Sequence, residues 1–286
     1  RAGPVGGSRP RPELALTTAP AAPARSRIPA APSGARHVVL VANPISGRGR
    51  ADRMAGEAAA ALRARGHSAR RIPTRLEPTE DWLDPELEGA DAMIVVGGDG
   101  AVRLASDAAI RTGVPLHHLP LGTENLFARE FGSSRRPRDL LAAVESGRVQ
   151  RVDAASFEVA GGGGGEGDAG AGGDDAAPRE TFLLMASLGV DAEVVHDLAA
   201  RRTGAITHLS YALPIVRQAL AWRAPTVDVL IDGEALVRGA RGTVIVASCR
   251  QYGGRLDPIR DASMTDGRLD VVVLPGRTAV GMSVRA

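Results

Sequence analysis

Residues 92–100 read Ala-Met-Ile-Val-Val-Gly-Gly-Asp-Gly. The apolar run predicts a buried strand, and the glycines after it predict a tight loop. The Ala-rich stretch 101–111 that follows has helical composition. In open α/β sheets ligands bind outside the carboxyl ends of the strands, so the loop at 97–100 is a candidate anion site.

The same alternation of strand, loop and helix extends to both sides of this stretch. We expect strands at 38–42, 68–72 and 114–119, and helices at 51–65 and, in polar form, near 80–88. Strands that alternate with helices at this spacing predict a mainly parallel sheet with helices on both faces.

The pattern changes near Arg151, where β-rich runs bounded by glycine or charge begin. These runs are 152–159, 181–187, 226–231, 243–247 and 269–274, and helical stretches at about 192–201 and 208–222 interrupt them. We therefore predict a disordered Pro/Ala/Arg-rich leader at 1–35, an α/β domain at 36–151 and a β-rich, sandwich-like domain at 152–286. A Gly-rich segment at 161–178 predicts a flexible loop within the second domain.

Composition excludes several functions. The apolar fraction of 44% is sufficient for a packed core, and the aromatic fraction of 3% argues against stacking platforms for nucleic acid. All 35 basic residues are arginine, which excludes a lysine P-loop and a Schiff-base mechanism. The single Cys249 excludes an internal disulfide and a thiolate zinc cluster. No apolar run approaches the roughly 18 residues of a membrane span, which predicts a soluble or peripheral protein. The lysine-free, arginine-rich composition is typical of a high-GC bacterial genome and favours a cytoplasmic location, with the inner membrane face as the place of any peripheral contact.

Glycine-bearing loops follow three of the predicted parallel strands, at Asn43–Gly47, Gly97–Gly100 and Gly122–Asn125. Glycine lets the backbone approach an anion closely, and a following helix N-terminus adds partial positive charge. We expect the loops to share one phosphate site. Within it, Asp99 is suited either to holding Mg²⁺ or orienting a hydroxyl, or to capping the next helix.

The motifs in these loops occur in a specific order. Asn-Pro-x-Ser-Gly, Gly-Gly-Asp-Gly and Pro-Leu-Gly-Thr-x-Asn-x-Phe-Ala are followed by Gly189–Ala192, by Gly253-Gly254 and by Asp261–Asp270, which ends in Asp-Gly-x-Leu-Asp. In this combination the chain resembles the diacylglycerol kinase catalytic-domain family, which includes bacterial diacylglycerol kinases and sphingosine-kinase-like lipid kinases. The resemblance covers about residues 36–275.

The resemblance implies an NAD-kinase/diacylglycerol-kinase-like α/β domain, a β-sandwich-like domain and a site between them. It implies ATP and Mg²⁺ as cofactors and phosphoryl transfer to a hydroxyl of a lipid at a membrane surface, and it leaves a homodimer open. Asp99 would be catalytic, and Asp266 would hold the metal with backbone carbonyls near Ser263 and Arg268. The residues implied to lie against nucleotide are Asn43, Ser46, Gly47, Thr74, Gly97, Gly98, Gly100, Gly122, Thr123 and Asn125.

The chain departs from the family pattern at several positions. Ala101 replaces a threonine, Arg103-Leu104 replaces Asn-Glu, and Leu126 stands where the third loop often carries Asp. In bacterial relatives a catalytic Glu follows the Asp-Gly-x-Leu-Asp segment in a second Asp-Gly-Glu, and Asp232–Glu234 lies too early to be its equivalent. Because the sequence ends at Ala286, before that point, we expect either an incomplete C-terminus or a degenerate member.

Other readings remain open. An NAD kinase also carries a Gly-Gly-Asp-Gly loop, and a regulatory protein would bind nucleotide without turnover. A Rossmann dehydrogenase is disfavoured, because Asp52 occupies the place of the third glycine. We expect structural roles for His117 and His118, and a solvated loop at Arg135–Arg138.

Overall fold

The structure, a computed structural model, describes residues 13–18, 34–75, 79, 81–160, 179–200, 217, 222–253 and 259–278. Its first half is built on a parallel four-stranded sheet in the order β3-β2-β4-β5. The strands are β2 (His37–Ala42), β3 (Ser68–Pro73), β4 (Ala92–Gly97) and β5 (Leu116–Pro120). After their first residues the two central strands are apolar and buried, as strands covered on both faces must be.

Helices cover both faces of this sheet. α1 (Ala51–Ala64) and α4 (Pro137–Ser146) pack on one face, around Leu40, Ile94 and Leu119. α2 (Asp99–Thr112) and α3 (Leu126–Phe131) pack on the other. Alternate residues of one strand therefore enter different cores, as the period of two requires.

The second half contains an antiparallel sheet in the order β11-β10-β8, with β9 also paired to β10. Its strands are β8 (Met185–Leu188), β9 (Thr226–Ile231), β10 (Glu234–Ala247) and β11 (Asp270–Pro275). α5 (Val190–Ala200) follows β8 directly. The mixed architecture of a parallel α/β layer and a C-terminal antiparallel sheet confirms the predicted fold class.

A small third sheet contradicts part of the predicted leader. β1 (Glu13–Thr18) pairs antiparallel with β6 (Ala155–Ala160), which also pairs with β7 (Glu180–Phe182). Residues 13–18 were expected to be disordered because the surrounding Pro- and Ala-rich sequence has no periodicity. Pairing with β6 supplies the order that local sequence does not indicate.

Several predicted elements differ in detail. The polar helix predicted near 80–88 is wrong, because the described residues 81–88 form turns and a 3₁₀ helix at Asp84–Leu87. Residues 135–138 are exposed, as predicted, but they are not all loop, because α4 begins at Pro137. The Arg135 guanidinium donates from Nε to the carbonyl of Pro120 at 2.7 Å. The predicted loop at 161–178, most of the stretch 208–222 and Gly254 lie outside the described residues.

The two halves are joined by a shared core. Cys249 and Met264 from the second half are buried in the same cluster as α2 and α3. A backbone hydrogen bond ties the start of the second half to the same core, since the Asp153 amide donates to the Met264 carbonyl at 2.7 Å. The second half is thereby held against the face of the sheet that α2 and α3 cover.

Candidate functional site

The glycine loops meet at the carboxyl edge of the parallel sheet. A Cβ built on Gly122 would lie 2.6 Å from the Cα of Gly98, and a Cβ on Gly97 would lie 3.5 Å from the Ser46 hydroxyl. A Cβ on Gly47 would lie 3.5 Å from the backbone oxygen of Leu121. The three loops are thus in direct contact, and glycine is required where Gly98 and Gly122 face each other.

Helix α2 begins at this junction with an uncapped N-terminus. Gly98 is the N-cap, and no side chain caps the helix. The first N–H groups of a helix lack intrahelical partners and carry partial positive charge, so they bind anions. Gly100 leaves space in front of this turn, since no heavy atom lies within 4 Å of the position its Cβ would take. The arrangement suits a phosphate group.

Asp99 is the first residue of α2, but its carboxylate does not cap that helix. Oδ1 accepts a hydrogen bond from the Phe127 amide at 3.0 Å and so satisfies an N–H in the first turn of α3. Asp99 therefore does not cap the following helix α2, as one alternative predicted, but its carboxylate makes the same kind of contact with the start of α3. The second carboxylate oxygen is left for another partner at the loop junction.

Asn125 shapes the third loop rather than presenting its amide to a ligand. Its Oδ1 accepts from the Gly122 amide at 2.7 Å, and its Nδ2 donates to the Gly122 carbonyl at 2.8 Å. Asn125 itself has a φ of 52°, a left-handed conformation that asparagine tolerates. Any part of Asn125 in nucleotide binding is exerted through the shape of this loop.

The other predicted phosphate residues lie at the same edge. Asn43 accepts the Ile45 amide on its side-chain oxygen at 3.2 Å and forms a local turn in the first loop. Thr74, immediately after β3, is held by its amide to the Ala42 carbonyl at 2.8 Å. Thr123 is half-buried beside Gly122. All these residues follow the carboxyl ends of their strands, so the structure brings the first-half set together.

His118 of β5 contacts the backbone of this junction. It is fully buried, and its Nε2 lies 2.9 Å from the carbonyl oxygen of Gly97. Because a carbonyl only accepts, Nε2 carries the proton. Burial lowers the pKa of His118, although its bond to Gly97 and the charge of Asp99 oppose that shift. His118 is therefore neutral at physiological pH, and the structural role expected for it is seen.

The second half contributes a loop that precedes β11. In it, the Asp266 carboxylate accepts from the Arg268 amide at 3.1 Å, and the Ser263 and Thr265 hydroxyls lie 3.1 Å apart. Asp153 anchors the loop by accepting the Gly267 amide on Oδ2 at 2.8 Å. The structure thus ties the segment that contains Asp266 to the connection between the two halves.

These residues fit a divalent metal only in part. Asp99 and Asp266 offer carboxylate oxygens, but the described residues include no group of three or more His, Cys, Asp or Glu that could hold a metal ion. Mg²⁺ is commonly bound by one or two carboxylates together with substrate phosphates and water. The donor set therefore fits a metal that arrives with a nucleotide, and Ser263 and Arg268 lie on the same loop as Asp266.

Two motif segments of the second half have structural functions. Asp232 and Gly233, with φ of 51° and 85°, form the turn between β9 and β10, so this Asp-Gly-Glu is a hairpin. Gly189 has a φ of 137°, and a Cβ there would lie 2.3 Å from the Thr243 hydroxyl. Asp191, two residues later, accepts the Tyr252 hydroxyl at 3.0 Å.

Sequence reasoning missed Asp153, and it predicted a structural role for His118 without identifying its partner. Asp153 and His118 act through bonds to residues 114 and 21 positions away in the chain, and no local pattern indicates such pairs. Cys249 is inert, because burial raises the pKa of its thiol to about 12.

Two family models match the chain. Residues 37–157 match the diacylglycerol kinase catalytic domain, and residues 185–283 match the YegS C-terminal NAD kinase beta sandwich-like domain. A diacylglycerol kinase of Mycobacterium tuberculosis is 27% identical over 248 residues, covering 82% of this chain and 72% of the relative. The same match occurs in strain H37Rv.

Solved structures show the same fold. A crystal structure of a diacylglycerol kinase from Bacillus anthracis superposes with a TM-score of 0.59 at 22% identity, covering 87% of this chain and 76% of the other. The ordered motifs, the two-part architecture and the matches to both halves agree. The two family models and the mycobacterial relative together indicate the diacylglycerol kinase catalytic-domain family.

Proposed function

We propose that the protein is an ATP- and Mg²⁺-dependent kinase that transfers the terminal phosphoryl group to a hydroxyl of a lipid such as diacylglycerol. One observation carries the proposal: the uncapped N-terminus of α2 lies where three glycine-bearing loops touch. The name of the mycobacterial relative supports the choice of acceptor.

The residues at the loop junction would act mainly by positioning. Phosphoryl transfer demands little covalent chemistry of the protein, so placement and electrostatic stabilisation dominate. The N–H groups at the start of α2 would stabilise phosphate oxygens, and the Gly98–Gly122 contact would set the width of the cradle. When bound, Mg²⁺ would neutralise charge on those oxygens, and Asp99 and Asp266 would hold it.

Asp99 would also orient the acceptor. Its Oδ1 is fixed by the hydrogen bond from the Phe127 amide, which joins α2 to α3. This contact also fixes the direction of Oδ2. A carboxylate oxygen in that position can accept a hydrogen bond from the attacking hydroxyl. The reaction would take place at the inner membrane face, where such a lipid resides. None of the described helices is both long and apolar enough to cross a bilayer.

The test is phosphoryl transfer from radiolabelled ATP to a panel of lipid micelles in the presence of Mg²⁺. Asp99→Asn and Asp99→Ala form a matched pair, because asparagine retains an oxygen for the Phe127 amide and alanine does not. We expect labelled lipid from the parent chain and loss of at least about 10²-fold in both variants, since both lack the charge. Wild-type turnover by Asp99→Asn would refute a role for that charge, and turnover with NAD instead of lipid would favour an NAD kinase.

A second candidate is a nucleotide-binding protein without turnover. It is favoured by Ala101, Arg103 and Leu126, which stand where the family usually carries polar residues. Arg103 contacts Glu180 of β7, so it is used in joining the two halves. Saturable binding of Mg-ATP with no phosphorylated product from any acceptor would place this candidate first.

A further inference from the structure

The turn between β2 and α1 contains an arginine in the left-handed conformation. Arg48 has a φ of 60°, and its neighbours Gly47 and Gly49 have φ of 60° and 80°. The Cβ of an ordinary side chain disfavours this conformation, which glycine and asparagine adopt far more readily. Residues other than glycine that are held in it cluster at functional sites, where the surrounding structure fixes them. An arginine at this position therefore indicates a function for its side chain.

Hydrogen bonds hold the turn on both sides of Arg48. The Ser46 amide donates to the Asn43 carbonyl at 3.0 Å. On the other side, Nε of Arg50 donates to the Gly47 carbonyl at 2.9 Å. Arg48 itself is exposed and makes no side-chain hydrogen bond or ion pair within the described part of the chain. Its backbone is fixed, but its charge is left for a ligand.

The turn forms one wall of the phosphate cradle. Strands β2 and β4 are neighbours in the sheet, so the turn after β2 lies beside the start of α2, which follows β4. The contacts agree with this: a Cβ on Gly97 would lie 3.5 Å from the Ser46 hydroxyl, and a Cβ on Gly47 would lie 3.5 Å from the backbone oxygen of Leu121. Arg48 follows Gly47 directly, so its side chain begins one residue from the loop junction.

The cradle needs a cation that lysine cannot supply in this chain. All 35 basic residues are arginine, and arginine binds phosphate oxygens through charge-assisted hydrogen bonds. Two arginines near the junction are already used. Arg135 donates to the Pro120 carbonyl, and Arg103, in the second turn of α2, contacts Glu180 of β7. Arg48 has no such partner among the described residues, so its guanidinium can meet an anion.

We propose that Arg48 binds the terminal phosphates of the nucleotide. This inference rests on the proposed function, because that function makes a nucleoside triphosphate the donor. A guanidinium can donate two parallel hydrogen bonds to phosphate oxygens, and it keeps its charge at any physiological pH. The fixed turn limits the conformational entropy that is lost when the side chain engages its ligand. Arg48 would thus add to the N–H groups of α2 in stabilising charge on those oxygens.

The test uses two substitutions of Arg48 and one control. Arg48→Asn removes the charge but keeps a residue that tolerates the left-handed conformation, whereas Arg48→Lys retains the charge. Arg53→Gln is the matched control, because Arg53 is exposed, lies on α1 outside the turn and is 3.7 Å from Glu57. The probes are Mg-ATP and inorganic tripolyphosphate with Mg²⁺, which shares the phosphates of ATP but lacks the base and the ribose. Affinities are measured by calorimetry and stability by thermal unfolding.

We expect Arg48→Asn to weaken the binding of both probes by about tenfold or more, equivalent to about 1.4 kcal/mol, with a thermal midpoint no lower than that of the parent. Arg48→Lys should recover part of the affinity, and Arg53→Gln should bind both probes as the parent does. Binding of tripolyphosphate to Arg48→Asn with the affinity of the parent would overturn the inference. A lower thermal midpoint with unchanged affinities in Arg48→Asn would also overturn it, because that result indicates a structural role for Arg48.

The two proposals fail in different ways. If the parent phosphorylates no lipid but its binding of Mg-ATP and tripolyphosphate depends on Arg48, the kinase proposal fails and the phosphate contact stands. If the parent phosphorylates lipid and Arg48→Asn binds both probes as the parent does, the kinase proposal stands and the role of Arg48 is wrong.

Discussion

The contact between Gly98 and Gly122 gives the sharpest prediction. A Cβ on Gly122 would lie 2.6 Å from the Cα of Gly98 and 3.0 Å from the side-chain oxygen of Asn125. Carbon atoms in favourable contact are about 3.5–4.0 Å apart, so Gly122→Ala must separate the two loops by about 1 Å. The obstacle is backbone, which cannot rotate away as a side chain can.

The cost of that separation has two parts. Overpacking of this kind destabilises by about 1–3 kcal/mol, which corresponds to a fall of several degrees in the thermal midpoint. Misplacing positioning groups by about 1 Å can reduce catalysis by about 10²-fold. We therefore expect Gly122→Ala to remain folded at room temperature with weakened Mg-ATP binding and kcat/KM lower by about 10²-fold.

The assay combines thermal unfolding, calorimetric titration with Mg-ATP and initial rates of lipid phosphorylation. Gly34→Ala is the matched control, because no heavy atom lies within 4 Å of its Cβ position and it precedes the amino end of β2, whereas the loops follow the carboxyl ends of their strands. Gly122→Ala with the thermal midpoint and Mg-ATP affinity of the parent would refute the claim that this contact sets the cradle.

Three further perturbations test the surroundings of the site. Asp153→Ala removes the acceptor of the Gly267 amide and so loosens the loop that carries Asp266. We expect half-maximal activity to need about tenfold or more Mg²⁺, while the affinity for ATP without metal stays the same. An unchanged Mg²⁺ requirement would contradict this role of Asp153. The depressed pKa of His118 means that the unfolded chain binds more protons, so its contribution to stability is complete above about pH 6.5 and is lost as pH falls. The free energy of unfolding in urea, measured between about pH 5 and about pH 8, should depend less on pH in His118→Gln than in the parent. The same slope of unfolding free energy against pH in both proteins would refute this role of His118. A hydrogen bond from Arg111 lowers the pKa of Asp84, so the stability lost in Arg111→Gln should be constant above about pH 4 and vanish at lower pH; a constant difference in acid contradicts this.

Local sequence was sufficient to predict the parallel sheet. The apolar runs of β2 and β4 are short, rich in β-branched residues and followed by glycine loops, which is typical of strands buried on both faces. Because each loop follows the carboxyl end of a strand, the convergence of Gly47, Gly98 and Gly122 follows from topology. That part of the candidate site could be inferred from the sequence alone.

Contacts between distant segments could not be inferred in the same way. Strand β1 pairs with β6, although the Pro- and Ala-rich sequence around it has no periodicity. The bond of Asp153 to Gly267 joins two loops whose approach depends on the shared core around Cys249 and Met264. Side-chain roles that depend on tertiary packing leave no trace in spacing or composition.

The start of α4 could have been predicted from Pro137, but the neighbouring arginines were given more weight. Pro137 at the first helical position favours a helix start, but the neighbouring arginines favoured a solvated loop. Arg135 in fact donates to the Pro120 carbonyl, so one of those charges is used in fixing the third loop.

The central claim is that the uncapped start of α2 holds the phosphates of a nucleotide, and Gly100→Ala tests it most directly. A Cβ at Gly100 meets no protein atom within 4 Å, so the substitution should not lower the thermal midpoint. If a phosphate occupies that space, calorimetric titration should show Mg-ATP binding weakened by about tenfold or more, equivalent to about 1.4 kcal/mol, in Gly100→Ala and unchanged in Gly34→Ala. Mg-ATP binding to Gly100→Ala with the affinity of the parent would contradict the assignment of this edge as the nucleotide site.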